Sequence, residues 1–154
     1  MRLNDLLSPQ RVAVQNGPLD KNRVIQALAT MLADGAGIAP TLVAKALEER
    51  ERRQSTGIGE GVAIPHGFMA EVQKQVGALI TIPKGVAFDA IDGEDVRIVI
   101  AVIGPKHASG EHLKTLARIS RVLRSSAFRE RLLAAPTAVA AFDALVAEDE
   151  ACHR

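Results

Sequence analysis

Two of the four histidines in this 154-residue chain sit where an imidazole could meet an anion. His66 closes the stretch "STGIGEGVAIPHG", Ser55 to Gly67, in which Gly57, Gly59 and Gly61 fall within five residues. Glycine-rich loops expose backbone N–H groups to phosphate oxygens. Pro65 fixes φ just before the ring and Gly67 relieves crowding just after it, so the imidazole is held on one side and open on the other. His112 lies in "SGEHLKTLARIS", where Ser109 is expected to cap a helix and place the ring in its first turn, beside free N–H groups and the positive end of the helix dipole. Together the two rings suggest a site for phosphate. Singly, each also fits a plain solvent-exposed histidine, one in a Pro-His-Gly turn and one on a first helical turn, and the residues alone leave both readings open.

Spacing argues against the commoner phosphate and nucleophile motifs. A dinucleotide fingerprint needs GxGxxG between a strand and a helix, whereas these glycines follow GxGxG, come after a charged helix and lead into a strand. The GxxxxGK[ST] loop and the GxSxG serine elbow are both absent. His66, His107, His112 and His153 have no HExxH or CxxC partner, so neither a metal nor another cofactor is expected. Nineteen basic residues against 18 acidic leave a net charge of +1, and the chain has no Tyr or Trp. Nucleic-acid binding therefore lacks both its electrostatic and its stacking basis. The single cysteine, Cys152, agrees with a reducing compartment, and no window approaches the roughly 18 consecutive apolar residues of a membrane span. A cytoplasmic protein without membrane insertion is expected.

The elements that must position these residues are read from periodicity and turn chemistry. Arg11 to Gln15 reads as an edge strand. After the "NGPLD" turn, Asp20 is expected to cap a helix whose apolar face is Val24, Ile25, Leu28, Met31 and Leu32. "DGAGIAP" ends it, and Pro40 begins a second helix with Val43, Ala46, Leu47 and Arg50 on one face. Strands are expected at Val62–Ile64, at Val76–Ile82 with Pro83 ending it, and at Val96–Ile103, an almost wholly apolar run suited to a central position. The helix capped by Ser109 is expected to bury Leu113, Leu116, Ala117 and Leu123. Two more helices read over Phe128–Leu133 and Thr137–Val146. The sum is one α/β (α+β) layered domain whose core is built mainly from Val, Ile, Leu and Ala.

The residues "EERERRQSTGIGEGVAIPHG" resemble the signature of the enzyme IIA family of the bacterial phosphoenolpyruvate-dependent phosphotransferase system, fructose/mannitol type. "FDAIDG", Phe88 to Gly93, and "GEHLKTLARIS", Gly110 to Ser120, are similar to the nitrogen-regulatory branch of that family. The resemblance spans 1–147 and leaves 148–154 as a flexible tail. It implies a mixed sheet with helices packed on both sides. It also implies roles: His66 as the nucleophile that becomes a tele-phosphohistidine, His112 as the second active-site histidine, and Arg50 as the phosphate-side arginine. Ser55, Thr56 and the N–H groups of Gly57 and Gly59 complete the expected set of donors around the phosphoryl oxygens. The implied phosphate donor is an HPr-type phosphocarrier protein charged by an enzyme I, and the implied regulated partners are potassium transporter or sensor-kinase proteins. A sugar-specific IIA that passes phosphate to a IIB component is the alternative. Gln54 stands where relatives often have glycine, and Lys114 where some have a further histidine. Phe68 and Met69, just beyond His66, are either a contact patch or core, and core packing is the preferred reading.

Overall fold

A computed structural model describes residues 1–17 and 19–153. In chain order its helices and strands are α1 (Leu3–Leu6), β1 (Val12–Val14), α2 (Lys21–Ala36), α3 (Pro40–Arg53), β2 (Gly57–Gly59), β3 (Val62–Ala63), β4 (His66–Phe68), β5 (Val76–Val86), β6 (Val96–Gly104), α4 (Ser109–Val122), α5 (Ser126–Ala134) and α6 (Ala138–Cys152). The strands form one mixed sheet in the order β1-β5-β6-β3-β2, with β4 also paired to β6. β5 and β6 run antiparallel. β1 adds parallel to β5, while β3 and β4 both run parallel to β6 on its other side.

The apolar run at β6 explains why both faces are covered. Val99, Ala101 and Ile103 point into a core shared with Val24, Leu28 and Leu32 of α2 and Val43 and Leu47 of α3. Ile98, Ile100 and Val102 alternate to the other face and pack with α1 and with Ile119, Phe128 and Leu145 of α4, α5 and α6. Each Val, Leu, Ile or Phe side chain among them contributes about 1.5–3 kcal/mol relative to exposure when fully buried. Asp20 caps α2 as expected, accepting from Arg23 N at 2.8 Å. α2 runs through Gly35 and ends where Gly37 turns left-handed.

β3 and β4 follow one path along β6, interrupted at Ile64 and Pro65. Pro65 has no N–H to donate, but its carbonyl accepts from Val102 N at 2.9 Å, which keeps the chain alongside β6. His66 is delivered opposite Val102.

Four expectations are corrected. β5 continues past Pro83 to Val86, because its pairing with β6 breaks register between Thr81 and Val86 and the missing proline N–H falls in that break. α4 begins at Ser109 itself, after a 3-10 turn at Lys106–Ala108, and Ala108 occupies the cap position without a side-chain bond. Its buried face is His112, Thr115, Ile119 and Val122, whereas Leu113 is 67% exposed. The C-terminal segment is no flexible tail up to Cys152: α6 extends that far because buried Asp149 accepts from Arg118 Nε at 2.7 Å, Arg118 Nη2 at 3.1 Å and Leu3 N at 2.9 Å. Among the described residues, no helix is long and apolar enough to cross a membrane.

Candidate functional site

His66 opens β4, and its Nδ1 lies 2.7 Å from the carbonyl oxygen of Ile64. A carbonyl only accepts, so Nδ1 carries the hydrogen and Nε2 keeps the free lone pair. Partial burial pushes the pKa of His66 below its usual 6.5. The Ile64 carbonyl, which favours a protonated ring, opposes that shift; the positive charge of Arg50 adds to it, and Glu51 opposes it weakly. The outcome is a neutral imidazole at neutral pH with a defined nucleophilic nitrogen.

Arg50 stands in the last turn of α3, where its Nη1 donates to the Gln54 carbonyl at 2.7 Å. That bond satisfies a carbonyl just past the helix end and orients the guanidinium. His66 and Arg50 line an open depression of about 490 Å³, together with Arg53, Lys106, Glu49 and Phe68. Three cations around one neutral imidazole make a setting for a doubly charged oxyanion.

His112 is brought to the same place from α4. Its ring centroid is 5.5 Å from that of His66 and 4.4 Å from that of Phe68. The residue is 1% exposed, and neither ring nitrogen has a hydrogen-bond partner among the described residues. Desolvation first, and the neighbouring His66 second, push its pKa down to about 4. A buried, neutral, unpartnered imidazole costs stability, so its place beside His66 calls for an explanation. His66 thus lies between two residues far from it in sequence: His112, whose ring is beside its own, and Arg50, which shares the depression with it.

Residues 5–147 match the family described as phosphoenolpyruvate-dependent sugar phosphotransferase system, EIIA 2. The chain belongs to that family. A nitrogen regulatory protein of Pseudomonas aeruginosa is 35% identical to this EIIA 2 chain over 152 residues, covering 95% of this chain and 96% of that protein. A nitrogen regulatory protein of Bradyrhizobium diazoefficiens is 32% identical over 145 residues, covering 94% and 95%. The crystal structure of nitrogen regulatory protein IIA-Ntr from Neisseria meningitidis matches with a TM-score of 0.86 at 30% identity, over 93% of this chain and 98% of that one. The single-domain mixed-sheet fold and the nitrogen-regulatory likeness are those that the sequence motifs implied.

In this EIIA 2 protein the remaining expected site residues do not line the depression around His66. Ser55 donates its hydroxyl to the Phe88 carbonyl at 2.7 Å and accepts from Gly57 N at 3.1 Å. Thr56 is buried and gives both its N–H and its hydroxyl to Glu51, whose carboxylate also pairs with Lys21 at 2.8 Å. A Cβ on Gly57 would come within 2.8 Å of Ala90, so glycine there lets the "FDAIDG" segment close against the loop. Gly59 lies beside Asp92. The glycine stretch braces α3, and through it Arg50, against residues 88–92.

Sequence reasoning missed Arg53 and Lys106. Arg53 stands three residues after Arg50, a spacing that puts both on one helical face and could have pointed to it. Lys106 comes from the turn after β6, and only the pairing of β4 with β6 brings it near His66. Phe68 and Met69 divide: Phe68 is 41% exposed beside His112, while Met69 is core.

Proposed function

We infer that this protein is a phosphohistidine relay that accepts a phosphoryl group on Nε2 of His66 and regulates other proteins by its phosphorylation state. The observation that carries this reading is the 2.7 Å bond from His66 Nδ1–H to the Ile64 carbonyl, which assigns the lone pair to Nε2. In the transfer step, that lone pair attacks the phosphorus of a carrier's phosphohistidine in line. A new N–P bond forms as the carrier's N–P bond breaks, and the leaving electron pair returns to the carrier's ring. The His66 ring gains positive character, which the Ile64 carbonyl stabilises by accepting from Nδ1–H.

Beyond the N–P bond that His66 itself makes, phosphoryl transfer of this kind depends on positioning and charge stabilisation. Arg50, Arg53 and Lys106 supply positive charge around the equatorial oxygens, and His112 supplies a neutral donor. The donor protein is an HPr-type phosphocarrier, and the regulated partners are potassium transporter or sensor-kinase proteins, with the cytoplasm as the site of action. The nitrogen regulatory names of its relatives favour this output over sugar transport.

Incubation with phosphoenolpyruvate, enzyme I and an HPr-type carrier tests the relay: acid-labile phosphate should appear on His66 and be absent from His66→Ala. The two forms should then differ in affinity for potassium transporter or sensor-kinase proteins. Rapid loss of label to a sugar-specific IIB domain, with equal affinities of the two forms, would assign the protein to sugar transport instead.

A further inference from the structure

Buried polar atoms without partners among the described residues gather on the inner side of the site: Nδ1 and Nε2 of His112 and Oε1 of Gln75. Gln75 lies just before β5, and Gly104 ends β6 beside both residues. A Cβ on Gly104 would stand 3.1 Å from Gln75 Cγ and 3.4 Å from His112 Nδ1. Gly104 therefore lets the Gln75 side chain and the imidazole close in on the same stretch of backbone, with too little room for a Cβ between them. Buried polar groups in a native protein are paired, so two such residues beside the same glycine call for a common explanation.

We propose that Gln75 is a positioning residue for His112, its side-chain amide N–H donating to Nδ1 and holding the ring proton on Nε2. The ring is neutral, so it has one proton to distribute between two nitrogens, and a donor at Nδ1 selects the Nε2–H form. As placed, the buried amide atom is Oε1 and it makes no bond to the ring; rotating the amide puts its nitrogen there instead, and a small shift of the side chain completes the bond. Gln75 also borders two open clefts, so the displaced oxygen turns toward solvent. Nε2–H, across the ring from Gln75, is then the donor available to a phosphoryl oxygen on His66. The opposite tautomer would present a lone pair to that oxygen and repel it. The consequence for transfer rests on the relay reading, whereas the tautomer itself does not.

The test is a tautomer measurement joined to a rate. In ¹⁵N-histidine-labelled protein, His112 should show the Nε2–H form. Gln75→Leu should give a mixture of tautomers and slow His66 phosphorylation by the carrier on the order of tenfold, the effect of losing one buried hydrogen bond. Gln75→Glu, whose carboxylate only accepts, should move the proton to Nδ1. Gly104→Ala, whose Cβ would press Gln75 away from the imidazole, should reproduce Gln75→Leu. An Nδ1–H form in the parent protein, an unchanged tautomer in the Gln75 variants, or a changed tautomer with an unchanged rate would each overturn the assignment. Should no phosphate enter the parent protein, the relay reading fails by itself, while the tautomer of His112 still decides whether Gln75 sets it.

Discussion

His66 differs from an ordinary surface histidine in what its Nδ1 touches and in the charge beside it. Because its pKa lies below 6.5, the neutral nucleophile persists under mildly acidic conditions, and the rate of phosphate uptake should begin to fall only below that pH. Arg50→Ala removes a charge that disfavours the protonated ring, so the His66 pKa should rise and the fall should begin at higher pH. The plateau rate should also drop, by about a hundredfold if the guanidinium stabilises the transferring group. Initial rates across pH 5–8 check both effects, and an unchanged profile would remove Arg50 from the site. His112 obeys the same sign rule in stability. Its folded pKa of about 4 lies below the unfolded value near 6.5, so the unfolded chain binds the proton first. The associated stability is complete above pH 6.5 and is lost as pH falls toward 4, by roughly 3 kcal/mol over that window. His112→Phe keeps a ring beside Phe68 but cannot titrate, so its unfolding free energy should decline less between pH 7 and 4.5 than that of the parent. Equal declines by urea titration would show that His112 does not drive the loss.

At the scale of elements, α4 shows where local pattern misleads. Apolar counting takes Leu113, Leu116, Ala117 and Leu123 as the inner face; Leu123 is buried and Leu116 packs on the core, but Leu113 and Ala117 are exposed and His112, Thr115, Ile119 and Val122 are buried instead. The inner face is thus centred one residue earlier at His112 and Thr115, about 100° round the helix, while it keeps Leu116 and Leu123 at its edge. Histidine and threonine score as outward residues, and the packing of the His112 ring against His66 and Phe68 of β4 overrides that score. Leu113→Glu should therefore change stability by less than about 0.5 kcal/mol, whereas Ile119→Ala should cost about 2–5 kcal/mol. Denaturant midpoints of the two variants decide which face is inside. β6 was legible because nine consecutive residues, nearly all apolar, admit little besides a covered strand. The end of β5 was not, since Pro83 ordinarily stops a strand and nothing local announces the register break that accommodates it. The glycine stretch was legible as part of the site but not as a brace, because the contacts of Gly57 and Gly59 come from residues 88–92.

For the molecule as a whole, the least legible contact is also one of the most integrating. "EDEACHR" reads as solvated chain, yet Asp149 binds Arg118, 31 residues away, and Leu3, 146 residues away. No local signal encodes partners at such distances. Asp149→Ala should cost about 3 kcal/mol, because it strips a largely buried guanidinium of its carboxylate and leaves the Leu3 amide unpaired. Thermal unfolding should show that loss while phosphate uptake by the folded fraction stays intact. The same contact nearly closes the chain into a ring, with α1 held against α6. Between those ends the chain makes the exposed Ile91–Asp95 turn, and the site is divided across it in sequence: Arg50 and His66 come before, His112 after. A chain severed at that turn would part into two pieces, one holding the nucleophile and the other its partner ring, so phosphate uptake at the parent rate would report their reunion.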